Sequence, residues 1–320
     1  MTHHYLSSAF QRRTEEEIDF LKSINTVSGF LLFWIDIVRP LLCHIDARHL
    51  LEIGADLGTH TRLLACYCNS VNGTLTVIEP FVKTELNEFI GRSGNVKLVE
   101  AKSRDALPIL EGPVDAVLLE GDLNYHTVYG DLSGIADMAE RCQTPFPIVF
   151  LRATGWPYAR RDMYYDPDGL PEHAVHAFRY CGMTHWSPDL VQDMINQPFA
   201  NAEKEGGVRN GVLTAVEDFV RDTSLALRLF TLPVHNGLSI VYSQGSTADT
   251  FIRDRIASAP LLVRLLETVE VARLNSIIKH LESLQAEHLA AATVRSRIER
   301  KLHRIIERFF TMIKKRHSQL

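Results

Sequence analysis

The chain predicts an α/β fold with a mainly parallel sheet and helices on both faces, and three observations carry that prediction. Five short apolar runs, "HLLEIG", "GTLTVIEP", "NVKLVEA", "VDAVLLEG" and "FPIVFL", are each bounded by Gly, Pro or Asn and separated by segments of helical pattern. Such alternation calls for βαβ units, because parallel neighbours need a long crossover that a helix supplies. With 320 residues, 46% of them hydrophobic, the chain can bury a large core and build about two structural units. "SLALRLFTLPVHNGLSIVYSQ" (Ser224 to Gln244) then adds two strand-like runs around Pro233, Asn236 and Gly237, predicted as an antiparallel pair at the sheet edge.

Composition narrows the function classes. Charged residues make up 23% of the chain and the formal net charge is -5, which excludes a chain that is basic throughout, and no nucleic-acid partner is expected. Cys43, Cys66, Cys68, Cys142 and Cys181 are odd in number and lack metal-ligand spacing, so they read as reduced core thiols of a cytoplasmic protein. The polar start "MTHHYLSSAFQRRTEEE" has no apolar signal region. "GFLLFWIDIVRPLL" (Gly29 to Leu42) is too short to span a bilayer and is interrupted by Asp36 and Arg39, so it predicts a helix packed on the domain.

Three regions follow: an N-terminal helical segment over 1–46, the α/β domain over 47–246, and a C-terminal helical region over 250–320. Beyond Pro260 the last region has neither proline nor glycine. Leu274, Ile277, Leu281 and Leu284, then Ile298, Leu302, Ile305, Phe309 and Met312, recur at spacings of three and four and predict a coiled coil that makes the protein a homo-oligomer. The register between the blocks would put His288, Ala291 and Arg295 in the seam, weakening its middle; a hairpin folded back on the domain is the alternative. The basic amphipathic end, "RSRIERKLHRIIERFFTMIKKRH", suits contact with an anionic membrane surface or a partner protein, or simply a charged coil exterior.

The chemistry concentrates at strand ends. In "LLEIGADLGTHTRLL" a strand runs into Glu52, Gly54 and Gly58 form a turn, and Thr61 stands near a helix start. Glycines in such a turn allow close backbone approach to a ligand, and the free amides of the next helix favour an anionic group. "LTVIEP" ends in Glu79, a carboxylate that could accept from both hydroxyls of a ribose. The glycine spacing is not G-x-G-x-x-G, which argues against a dinucleotide-dependent oxidoreductase.

The spacing Glu-x-Gly-x-x-x-Gly instead resembles motif I of the class I S-adenosylmethionine-dependent methyltransferases, whose strand-end acid lies near the methionine part of the cofactor. "AKSRDALP" is similar to the family's adenine-side loop, with Ser103 and Arg104 near the base. "VDAVLLEGDLNYHTVYGDL" resembles the "D/E-G-D-H-x-Y" stretch of a branch, like methyltransferase family 24, that modifies sugars and natural products. There Glu120, Asp122, Asn124 and Tyr125 match, and Leu123 replaces the expected histidine. "GWPYARRDMYYDP" (Gly155 to Pro167) and "EGGVRNGVLTAVEDF" (Glu205 to Phe219) match two further loops of that branch nearly intact.

The resemblance covers roughly residues 48 to 244 and implies a Rossmann-like class I methyltransferase fold built on a mainly parallel seven-stranded sheet. It implies S-adenosylmethionine as cofactor, bound through Glu52, Gly54, Gly58, Thr61, Glu79, Ser103, Arg104 and Glu120, and a hydroxyl on a sugar, glycoconjugate or related small molecule as acceptor. Asp122 and His126 are the candidate bases, and Trp156, Tyr158, Arg160, Arg161 and Tyr164 the candidate acceptor contacts. At the end of the fifth strand Leu151 and Arg152 stand where the branch carries an acidic pair. A guanidinium cannot ligate Mg²⁺, so no metal is expected. That departure also raises the alternative of a catalytically degenerate scaffold working through its C-terminal coil.

Overall fold

The computed structural model describes residues 15–23, 29–257, 262–264 and 266–286. Helix α1 (Glu15–Ser23) is followed by α2 (Leu31–Phe33), a π turn over Trp34–Val38, and α3 (Arg39–His44). Burial of Arg39 in this apolar stretch is balanced by Glu17, which accepts from Arg39 Nε at 3.0 Å and from Trp34 Nε1 at 2.8 Å.

Four βα units and a fifth strand come next: β1 (His49–Ile53), α4 (Thr59–Val71), β2 (Thr74–Ile78), α5 (Thr84–Arg92), β3 (Val96–Val99), α6 (Ser103–Ala106), β4 (Ala116–Leu119), α7 (Tyr125–Arg141) and β5 (Ile148–Arg152). An insertion carries β6 (Met163–Tyr164), β7 (Phe178–Tyr180), β8 (Gly182–Thr184), β9 (Ser187–Val191) and β10 (Ala200–Ala202). Helix α8 (Val212–Asp222), β11 (Leu227–Leu232), β12 (Leu238–Ser243) and α9 (Thr247–Phe251) complete the domain.

The main sheet has the order β11-β12-β5-β4-β1-β2-β3. Strands β1 to β5 pair in parallel, whereas β12 runs antiparallel to both β5 and β11. The expected edge hairpin is therefore present, with its second strand against β5. This is the Rossmann-like class I methyltransferase fold that the motifs imply.

Side chains alternate across the sheet with the period of two that a pleated strand imposes. Leu50, Ile148, Phe150, Leu238 and Ile240 join one cluster, under Phe30, Phe33, Trp34, Leu41, Leu64 and Leu86. Leu51, Ile53, Val149, Leu151 and Val241 join the other, under Leu107, Val128, Leu132, Val216 and Phe219. The segment from Phe30 to Ala47 thus shares the core of the α/β domain.

Residues 262–264 and 266–286 are helical. The first block of the predicted seam is unevenly covered within the chain. Leu274 and Ile278 are buried within this single chain, while Ile277 and Leu284 are 36% and 38% exposed. Helical residues four apart share a face, so the face at 274 and 278 docks on the chain's own body. Gln285 Nε2 adds a hydrogen bond to Asp193 O at 2.5 Å. The second block, the weak middle of the seam and the basic end lie outside the described residues. No described helix is long and apolar enough to cross a membrane.

Candidate active site

A cleft of about 520 Å³ opens at the carboxyl ends of β1, β2 and β4, where open α/β sheets bind ligands. Of the residues expected to hold a cofactor, Gly54, Glu79, Ser103, Arg104 and Glu120 line it. Asp122 and His126, the candidate bases, line it too. Glu52 and Thr61 stand behind it: both are buried, and Thr61 Oγ1 donates to Glu52 Oε2 at 2.7 Å.

The two glycines also meet close packing inside the protein. Gly54 has φ +83°, and a Cβ there would lie 2.5 Å from Glu120 O. Gly58, at φ +76° before α4, would press its Cβ to 2.8 Å from Leu86 Cδ1. Both are required by the left-handed turn and by close packing inside the protein, on β4's end and on α5.

Glu79 fastens this turn. Its Oε2 accepts from Ala55 N at 2.9 Å and Asp56 N at 3.2 Å, and its Oε1 accepts from Phe81 N at 3.0 Å. Three backbone donors leave about one of the four lone-pair positions of a carboxylate open to the cleft. On the far wall Ser103 bonds the buried Asp131, whose carboxyl burial pushes up to about 7. Lys102 Nζ and Arg104 Nη1 reach Asp166 Oδ2 and Gly169 O, each at 3.4 Å, joining this wall to the loop after β6.

Carboxylates cluster behind the turn. Burial pushes Glu52 up to about 8, with Glu120 and Glu79 adding to the rise and the Thr61 hydroxyl opposing it. Because the folded value lies above the ordinary 4.5, protonation favours the folded state. Glu52's contribution to stability is therefore full below about pH 4.5 and lost as pH rises through about 8. Glu52→Gln should raise the melting temperature at pH 8.5 and leave it unchanged at pH 4; an equal shift at both would exclude a titrating Glu52.

Glu120 is the hinge of the site. Its side chain is 31% exposed, yet Oε2 is shut off from solvent and has no hydrogen-bond partner. His60 Nδ1 lies 3.7 Å from Oε2, and Arg152 Nε lies 3.7 Å from Oε1. Burial pushes the Glu120 carboxyl up to about 7 against the pull of Arg152. Arg152, 4% exposed, donates through Nη2 to His235 O at 2.7 Å and through Nη1 to Gly237 O. The guanidinium is thus locked onto the β11–β12 turn with Nε ion-paired to Glu120 but not hydrogen-bonded. Among the described residues, no group of three or more His, Cys, Asp or Glu side chains could hold a metal ion.

Asp122 accepts from Thr127 Oγ1 at 3.2 Å, and burial raises its carboxyl. His126 is exposed, its ring pushed down by desolvation, His173 and Arg104.

Trp156, Tyr158, Arg160, Arg161 and Tyr164 are not among the residues lining the cleft. Trp156 packs on the lower core and meets His185 edge to face. Tyr158 is buried and donates to Asn201 Oδ1 at 3.0 Å. Arg160 bonds Glu217 Oε1 at 2.8 Å and Thr214 Oγ1 at 3.1 Å, both on α8. Arg161, 1% exposed, donates to the carbonyls of Ala202, Glu203 and Pro188. Tyr164 donates to Asp162 Oδ2 at 3.1 Å. Fully buried Asp162 in turn accepts from Tyr125 N at 2.8 Å and Gly211 N at 2.7 Å, joining the N-termini of α7 and α8. The two long loop motifs therefore hold each other. The stretch that does face the cleft is its continuation, from the 60% exposed Tyr165 through Asp166 to Leu170.

Fold and cleft together define a Rossmann-like α/β protein with a ligand-sized cleft at the carboxyl edge of its sheet. No protein-family model matches the chain, and neither does any curated protein. Among solved structures it is similar to the S-adenosylhomocysteine-bound methyltransferase PaMTH1 of Podospora anserina, at 16% identity over 75% of this chain and 89% of that one, with a TM-score of 0.43. An O-methyltransferase of Bacillus cereus in complex with the same nucleoside matches at 13% identity over 76% of this chain and 94% of that one, TM-score 0.39. A SAM-dependent methyltransferase of Aquifex aeolicus matches at 14% identity over 64% and 87%, TM-score 0.34. The functional reading rests on this chain's own strand order and cleft.

Proposed function

We propose that the protein is an S-adenosylmethionine-dependent O-methyltransferase that acts on a hydroxyl of a sugar or glycoconjugate without a metal ion. The observation that carries this reading is the carboxyl-edge cleft in which Glu79, at the end of β2, and the Glu120 and Asp122 pair, beyond the end of β4, meet beside Gly54. The open acceptor position on Glu79 suits a ribose hydroxyl, and Glu120, whose carboxyl burial raises, lines the cleft where a cationic ligand would favour its ionised form.

S-adenosylmethionine supplies, when bound, a methyl group already activated on a positively charged sulfur. Asp122, desolvated and oriented by Thr127, is placed to take the proton of an acceptor hydroxyl as its oxygen bonds to the methyl carbon and the carbon–sulfur bond breaks. Arg152 takes the position of the branch's metal-binding acid. Buried behind the cleft and bonded to the β11–β12 turn, its guanidinium balances the charge of Glu120, which does line the cleft.

Transfer of labelled methyl groups to a panel of glycosides, in EDTA and in Mg²⁺, tests the proposal. Equal label transfer to at least one glycoside under both conditions is expected. Dependence on Mg²⁺ would contradict the metal-free mechanism, and absence of transfer despite nucleoside binding would favour a catalytically inert scaffold.

A further inference from the structure

A second cavity, of about 430 Å³, shares His126 with the cleft. One side is an aromatic wall: Tyr125 and Tyr129 stack with centroids 5.7 Å apart and planes 15° apart, and Tyr125 is fixed by donating its hydroxyl to Asp218 Oδ2 at 3.0 Å. Imidazole and guanidinium groups line the cavity as well. His126 and His173 meet edge to face at 6.2 Å, and Arg209 joins them from the "EGGVRNG" loop.

Arg209 is set there at a conformational cost. Its φ is +55°, a left-handed backbone that a side chain bearing a Cβ seldom adopts. The loop is held in place by Asn210, which donates to Lys204 O and Gly206 O at 2.9 Å each, and by His176 Nε2 against Arg209 O at 2.8 Å. The Arg209 guanidinium has no ion pair among the described residues. The acids are already engaged: Asp222, which itself lines the cavity, is bonded by Arg221 at 2.8 and 3.1 Å, and buried Asp162 serves Tyr125 N, Gly211 N and Tyr164 and lies 3.8 Å from the lining His176.

Aromatic rings lining one cavity with imidazole and guanidinium donors fit an apolar sugar face carrying a phosphate whose oxygens accept several hydrogen bonds. We propose that this cavity is the acceptor subsite and takes the phosphorylated end of a sugar phosphate, with Arg209 and His173 holding the phosphate. The inference rests on the methyltransferase reading, since it places the remainder of the acceptor past His126 toward Asp122.

Calorimetric titration of the full chain with glucose 1-phosphate, glucose and glucuronate tests it, with S-adenosylhomocysteine titrated in the same preparation. The expected result is glucose 1-phosphate binding at least tenfold tighter than glucose or glucuronate. Arg209→Ala and His173→Ala should each weaken it at least fivefold and leave S-adenosylhomocysteine affinity unchanged. Glucose 1-phosphate binding no tighter than glucose, equal binding of glucuronate, or no effect of either substitution would overturn the inference. If S-adenosylhomocysteine binds in that case, the methyltransferase reading stands without it; if only the sugar phosphate binds, the anion site stands and the methyltransferase reading falls.

Discussion

Arg152→Leu should destabilise the folded chain by about 3–5 kcal/mol, the cost of removing one partner from a buried charge pair. The substitution leaves Glu120 facing His60 alone, and it leaves the carbonyls of His235 and Gly237 without their charged donor. The melting temperature should fall by on the order of 10 °C. Arg152→Leu combined with Glu120→Gln should recover part of the loss, because the uncompensated carboxylate is then gone. A single variant within about 1 kcal/mol of the wild type would mean that Glu120 is satisfied without Arg152.

The second large effect falls on the rate. Asp122→Asn should lower kcat by about 10²–10⁴-fold, the range for loss of a general base, and leave S-adenosylmethionine affinity within a few-fold. A base acts when ionised, and burial raises the Asp122 carboxyl. The wild-type kcat should therefore be lost as pH falls through a limb lying above the ordinary carboxylate range, and that limb should be absent from the residual activity of the variant. An unchanged kcat would move the base to His126 or Glu120.

The parallel strands β1 to β5 and the hairpin at β11 and β12 were legible in the sequence because each is a short apolar run with sharp ends. The strands β6 to β10 were not, since they are two to five residues long and lie in a polar insertion with no sustained alternation. The cleft was legible in outline. Strand-end position alone placed Glu79, Glu120 and Asp122 at its edge, because the carboxyl edge of a parallel sheet is where crossovers leave room.

Misreading began where charged and aromatic residues crowd a loop. Arg160, Arg161 and Tyr164 look like ligand contacts one by one, but each is matched by a partner distant in sequence, Glu217, the carbonyls around Ala202, and Asp162. The complementary charges of the two motifs were a readable signal for that pairing: Arg160 and Arg161 in one, Glu205 and Glu217 in the other. The seam at 274 to 284 is legible only as a stripe, with Leu274 buried within the chain and Ile277 and Leu284 exposed. A three-four spacing shows that a helix has an apolar stripe, not which surface covers it.

Binding of S-adenosylhomocysteine to metal-free protein, wild type against Glu79→Gln, is the most direct test of the central claim that the carboxyl-edge cleft holds this nucleoside. The account predicts wild-type binding in EDTA and an affinity about tenfold or more weaker in Glu79→Gln, roughly 1.4 kcal/mol per decade. Absence of wild-type binding, or equal affinity in a Glu79→Gln variant that melts like the wild type, would contradict it.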